Sequence, residues 1–192
     1  MGNREDLLAG AQRCLHEKGY ARTTARDIAA AAGVSLAAIG YHFGSKEALL
    51  NAALQQAIEE WGEGLEATPA TRADGDAEPA EQFEAAWAKV LDSFGTTGRL
   101  WAIQFELLAH LERTPQLRET LRGANQHARR ALVELFGNAD EHEAAAVGAF
   151  YQALLIGAAA LWLAEPETAP TARDLVAAVQ VIATHTNPAN DN

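Results

Sequence analysis

At 192 residues the chain has room for one large domain or two modest ones, each with enough core to fold on its own. Ala, Leu, Glu and Arg dominate while Val and Ile together number 13, a mixture that favours helix over sheet. The formal net charge of −11 excludes a uniformly basic nucleic-acid binder, and the lone Cys14 excludes an internal disulfide and fits a reducing cytoplasm.

The charge is unevenly spread. Residues 1–50 carry six Lys/Arg against five Asp/Glu, whereas the remaining 142 carry nine against 21. An acidic body behind a near-neutral head still permits phosphate binding where basic groups converge. No secretory leader is expected, because Arg4, Glu5 and Asp6 are followed by no sustained apolar run.

Apolar spacing predicts nine helices, near 3–18, 25–32, 36–43, 46–66, 79–95, 99–112, 115–136, 140–164 and 171–185. Leu7, Leu8, Ala11, Cys14 and Leu15 form one stripe on the first, and Gly19 stops it. Thr24 and Asp27 have capping-box spacing, so the second begins at Ala25 and ends at Gly33. Ser35 is placed to cap the third, and Ser45, after the break at Gly44, to cap the fourth. The stretch 67–78 holds Pro69 and Gly75 among small polar residues and reads as a flexible connection. The segment 144–164 has no charge over 21 residues, long enough to span a bilayer. It is rich in Ala and Gly, contains Gln152, and lies between Glu143 and Glu165 with no basic anchor, so it reads as a buried or interface helix.

Function is carried by residues 24–43. Ala29, Gly33 and Ile39 have the spacing of a helix-turn-helix: a small residue where the helices cross, glycine for the turn, and an aliphatic side chain to close the core. In a helix over 36–43, Leu36, Ile39 and Phe43 are expected on the core side, with Ala38, Tyr41 and His42 on another. Spacing alone leaves an ordinary helix pair inside a bundle equally open. The flanking text decides: Gly19-Tyr-x-x-Thr-Thr24, Asp27-Ile-Ala-x-x-Ala-Gly-Val-Ser35 and Tyr41-His-Phe-Gly-Ser-Lys-Glu-Ala-Leu-Leu50. Over about residues 5–54 the chain resembles the TetR family of bacterial repressors.

That resemblance implies an all-α fold, with a three-helix DNA-binding domain over 1–45 and an effector-binding and dimerisation domain over 46–192. It implies a homodimer on a palindromic double-stranded operator, released by a small apolar or aromatic inducer, with no cofactor, metal or membrane involved. The third helix is to enter the major groove, its early residues nearest the base edges. The DNA contacts it points to are Thr24, Arg26, Ser35, Leu36, Ala37, Ala38, Tyr41, His42 and Lys46. Many relatives carry Tyr where this chain has Gly40, and Leu36, Ala37 and Ala38 offer the groove no hydrogen-bonding side chain. Readout therefore leans on Tyr41, Arg26 and apolar touches to thymine methyls, supplemented by DNA shape.

Trp87, Trp101, Gln104, Phe105, His110 and Phe150 are the candidate effector pocket, although aromatic residues at helical spacing are more often plain core. Ala145, Gly148, Ala149, Gly157, Ala160, Leu161, Val176 and Val179, on the last two helices, are the candidate dimer surface. Enzymatic signatures are missing: His142-Glu143 has no second His four residues on, and there is no phosphate-binding glycine loop, paired Cys motif or nucleophile elbow. The competing reading is a helical interaction protein whose head no longer binds DNA.

Overall fold

The computed structural model describes residues 3–66, 78–110, 115–136, 140 and 142–186. Among them are eight α-helices and no strand: α1 Asn3–Lys18, α2 Ala25–Ala32, α3 Leu36–Phe43, α4 Lys46–Glu66, α5 Pro79–His110, α6 Pro115–Phe136, α7 Ala144–Ala164 and α8 Ala172–Thr186. The connection expected over 67–78 lies, except for Glu78, outside the described residues.

Local chemistry sets the N-terminal boundaries. Thr24 Oγ1 accepts from the Asp27 N–H at 3.2 Å, and the Asp27 carboxylate accepts from the Thr24 N–H at 2.9 Å, a complete capping box for α2. Gly33 ends that helix at φ 68°, a left-handed conformation open to a residue without Cβ, and Val34 N–H returns to the Ala29 carbonyl. Ser45 Oγ accepts from the Ala48 N–H at 3.0 Å and caps α4. Ser35 holds the cap position of α3, but its side chain makes no cap hydrogen bond.

Two of the expected helices are one. Gly95-Thr-Thr-Gly98, read as a break, sits inside α5. The Thr96 and Thr97 hydroxyls donate back to the Ser93 carbonyl at 3.0 and 2.8 Å, which seats them within the helix. Gly98 is there for contact: a Cβ on it would stand 2.5 Å from the Trp162 ring. The start expected at 140 also shifts, because the Asp140 carboxylate accepts from the N–H groups of His142 and Glu143 and forms a turn before α7.

The chain separates into two compact units. The first comprises residues up to 63 together with 99–124. Its core is Leu7, Leu8, Ala11, Cys14 and Leu15 of α1, Ile28 and Ala29 of α2, Ala38 and Ile39 of α3, Leu49, Leu50, Ala53 and Leu54 of α4, and Ile103 and Leu107 of α5.

The second unit comprises residues 64–98 and those from 125 onward. Aromatic rings dominate its core: Trp87 stacks on Phe136 with centroids 5.2 Å apart, and Tyr151 meets Phe136 at 4.5 Å. By length and composition α7 is apolar enough to cross a membrane, with a third of its most apolar window buried inside the chain. It carries one buried amide, Gln152, whose oxygen accepts from Arg129 Nε at 2.7 Å and whose nitrogen donates to Asn125 Oδ1 at 2.8 Å. That network fixes the register of α7 on α6 and gives its polar group partners inside the protein.

Gly148, expected at a dimer surface, is buried within the chain. A Cβ there would lie 2.8 Å from the Arg129 carbonyl oxygen and 3.1 Å from Val133 Cγ2. Although alanine is the better helix former, Gly148→Ala is expected to destabilise by about 1–3 kcal/mol, because the clash is with backbone. Gly62→Ala, where the added Cβ meets nothing within 4 Å, should be neutral or stabilising. Urea denaturation of both variants checks this; a stabilised Gly148→Ala would refute the close approach.

Candidate nucleic-acid interface

An eight-residue helix has little stability of its own, so the orientation of α3 is decided by what it buries. At about 100° per residue, Leu36, Ala37, Gly40 and Tyr41 fall on one arc of roughly 140°, and Ala38, Ile39, His42 and Phe43 on the opposite one. The first four are all exposed; Ala38 and Ile39 are buried; His42 and Phe43 are half-buried.

This corrects two expectations. Ala38 turns into the head core at 8% exposure and leaves the groove-facing set, while Leu36 turns outward at 49%. The helix is rotated from the expected orientation because Ala38 and Ile39 together, rather than Leu36 and Ile39, face α1 and α2. Tyr41, at 87% exposed, is the most prominent side chain on the outward face. The His42 ring stands edge-on to it, with centroids 4.9 Å apart and planes at 86°. Phe43 is covered by the Arg4 guanidinium, 5.3 Å from the ring centroid.

Around this face the other expected contacts divide. Arg26 and Ser35 are exposed. Thr24 already uses its hydroxyl within the capping box, donating to Asp27 at 2.7 Å. Lys46 is committed inward as well: its ammonium donates to the Thr23 carbonyl at 3.2 Å and pairs with Glu47 at 3.3 Å. It therefore ties the start of α4 to the turn before α2, and any phosphate contact competes with that tie.

The sequence reading missed the groups that hold this turn. The Glu106 carboxylate of α5 accepts from the Ala21 N–H at 2.9 Å and the Tyr20 N–H at 3.3 Å, and Arg99 Nε donates to the His16 carbonyl at 3.0 Å. The Tyr20 hydroxyl donates to Asn51 Oδ1 at 2.9 Å. Burial, with Glu47 and Glu106 nearby, pushes that phenol up to about 12. The Thr23 hydroxyl is buried and donates to the Gly19 carbonyl at 2.7 Å. Contacts across more than 80 residues leave no local sequence signal. The buried Cys14 thiol is raised by desolvation and is held in its unreactive form.

The expected effector residues do not share one unit. Trp87 and Phe150 belong to the second, Trp101, Gln104 and Phe105 to the first, and the His110 side chain lies outside the described residues. Trp101 stands edge-on to Trp61 at 5.3 Å. Trp87 is fully buried, and its indole N–H has no acceptor among the described residues. In the second unit Phe83, Ala146, Val147, Phe150, Tyr151 and Val179 line an open pocket of about 350 Å³.

Of the expected dimer residues, Ala145, Gly157, Ala160 and Leu161 are exposed, Ala149 and Val179 half-buried, and Gly148 and Val176 buried within the chain. Ile156, Val181 and Ile182, not among those expected, add to the exposed apolar surface of α7 and α8.

A helix pair with an outward third helix is what a DNA-reading head presents, and known proteins bear on it directly. The family model described as bacterial regulatory proteins, tetR family, matches residues 7–53, and the tetracyclin repressor-like C-terminal domain matches residues 78–181. The chain belongs to the TetR family. It is 31% identical over 163 residues to the HTH-type transcriptional regulator BetI of Stenotrophomonas maltophilia (strain R551-3), covering 83% of this chain and 79% of that one. Among solved structures it is similar to SCO7518 from Streptomyces coelicolor A3(2), with TM-score 0.71, 24% identity, and coverage of 95% and 98%. It is also similar to the multidrug binding protein EbrR complexed with proflavin, with TM-score 0.65, 24% identity, and coverage of 94% and 99%. At such identities the two structures speak for the fold alone. The protein is a TetR-family DNA-binding transcriptional regulator, and its family points to regulation rather than catalysis.

Within this head the Asp27 carboxylate is held well below its ordinary 3.8 by the Lys18 ammonium at 2.6 Å and by the Thr24 bonds, and Lys18 is raised in return. A depressed carboxylate stabilises the fold fully above its unfolded value and loses that contribution as pH falls through its folded value. Asp27→Ala should therefore melt lower than the parent at pH 7, with the gap closing as pH drops below 3.8. Calorimetric scans from pH 7 to pH 2 check this; a constant gap would contradict it.

Proposed function

We propose that the chain is a repressor that binds a palindromic operator as a homodimer and is released by a small apolar effector. Residues 1–45 act as the DNA-binding domain and 46–192 as the effector and dimerisation domain. The observation that carries the reading is the outward face of α3 in a chain of this family, with Tyr41 standing 87% exposed and no part of the buried core. Tyr41, Arg26, Ser35 and the half-buried His42 are the side chains assigned to bases and phosphates, and Thr24 and Lys46 hold the turn beside them.

One short helix gives too little contact for a selective site, so two heads are required. The outward stripe of α7 at Ile156, Gly157, Ala160 and Leu161, with Val181 and Ile182 of α8, offers the apolar surface for pairing. For the effector, the pocket beside Phe83, Phe150 and Tyr151 supplies apolar walls. Such a protein acts in the cytoplasm, where its DNA is.

The test is a gel-shift titration of the full chain against the DNA upstream of its own coding sequence, at two salt concentrations. Sequence-selective binding that weakens with salt is expected. Tyr41→Ala should weaken it by about 1–3 kcal/mol without lowering the melting temperature. No sequence preference at either salt concentration favours a helical interaction protein instead.

A further inference from the structure

The outward face of α3 is hydrocarbon until Tyr41. Leu36, Ala37 and Gly40 precede it there, and none has a nitrogen or oxygen in its side chain. Leu36 stands 49% exposed, and a Cβ built at Gly40 meets nothing within 4 Å. Since Leu36 and Gly40 are one turn apart, the missing side chain at Gly40 leaves open space beside both Leu36 and Tyr41, a notch in the helix surface at that position.

In the major groove the four bases ask for different partners. Guanine presents two acceptors, adenine an acceptor and an amino group, and cytosine an amino group; thymine presents a 5-methyl. A first turn without a donor or acceptor side chain makes no bidentate contact to guanine or adenine. It gains free energy by packing on the methyl, which loses no hydrogen bond when water leaves.

We propose that Leu36 and Ala37 read thymine 5-methyl groups, so that each half-site carries thymines where the first turn of α3 meets the groove, and that Leu36 determines this specificity. The proposal rests on the reading above that α3 lies in the major groove. Gly40 belongs to the same device: a side chain there would hold the backbone away from the base edge, whereas the notch lets the methyl come flush between Leu36 and Tyr41. Rotation of Ala38 into the core is what brings Leu36 to this position.

The test begins with duplexes enriched by the full-length protein from a random-sequence pool. Each thymine of the enriched half-site is replaced singly by deoxyuridine, which removes the methyl and keeps every hydrogen-bonding group. At thymines facing α3 each replacement should cost about fourfold in affinity, the burial value of one carbon group. Leu36→Ala, a change at an exposed position, should keep its melting temperature, bind the thymine duplex several-fold more weakly, and lose most of the sensitivity to deoxyuridine. An enriched site indifferent to every replacement overturns the proposal and leaves DNA binding standing. Sensitivity unchanged in Leu36→Ala overturns the role of Leu36. A pool from which no sequence is enriched overturns both this proposal and the reading it rests on.

Discussion

The head depends on a single packing constraint: Ala38 and Ile39 of α3 must be received by α1 and α2. They join Leu7, Ala11, Ile28, Ala29, Leu49 and Leu50 in one buried cluster. The arrangement needs α1 and α2 very close, and Gly10 makes that possible; a Cβ there would stand 3.0 Å from the Ala32 backbone nitrogen and 3.1 Å from the Ile28 carbonyl. With two adjacent residues inward, the helical repeat leaves no freedom for the rest. Leu36, Ala37, Gly40 and Tyr41 must face away, and they form the outward surface of α3.

A second layer of contacts keeps the wedge in place. The turn between α1 and α2 is held from three sides: by Glu106 and Arg99 of α5, by Asn51 of α4 through the Tyr20 hydroxyl, and by Lys46 through the Thr23 carbonyl. Charged or charge-assisted bonds to a turn's backbone are stronger than neutral ones and fix its direction. Lys18 and Lys46 are likewise tied to structure, through Asp27 and through Glu47 with the Thr23 carbonyl.

Much of this was legible in the sequence, for physical reasons that differ by element. Helices α1 to α4 are bounded by residues whose chemistry acts within four positions, such as Thr24 with Asp27, Gly33, and Ser45. Their limits follow from local rules, and all four were placed correctly. Gly98 was misread because glycine has two uses, breaking a helix and admitting a neighbour, and only the position of Trp162 distinguishes them. The rotation of α3 was misjudged for a related reason: Leu36 is the larger hydrophobe, yet the space beside α2 accepts alanine, and size alone does not reveal that. The hold of Glu106 and Arg99 on the turn was invisible, since nothing near residue 20 signals a partner in α5.

The most direct test of the outward face is a cysteine scan. Cys14 is buried and serves as a silent background. Single cysteines are placed in turn at positions 36 to 43 of the full-length protein, and their alkylation rates are measured with and without bound DNA. The account predicts fast labelling at 36, 37, 40 and 41, slow labelling at 38 and 39, and suppression of the four fast rates when DNA is bound. Fast labelling at 38 and 39, or fast rates at the other four that DNA leaves unchanged, would contradict it.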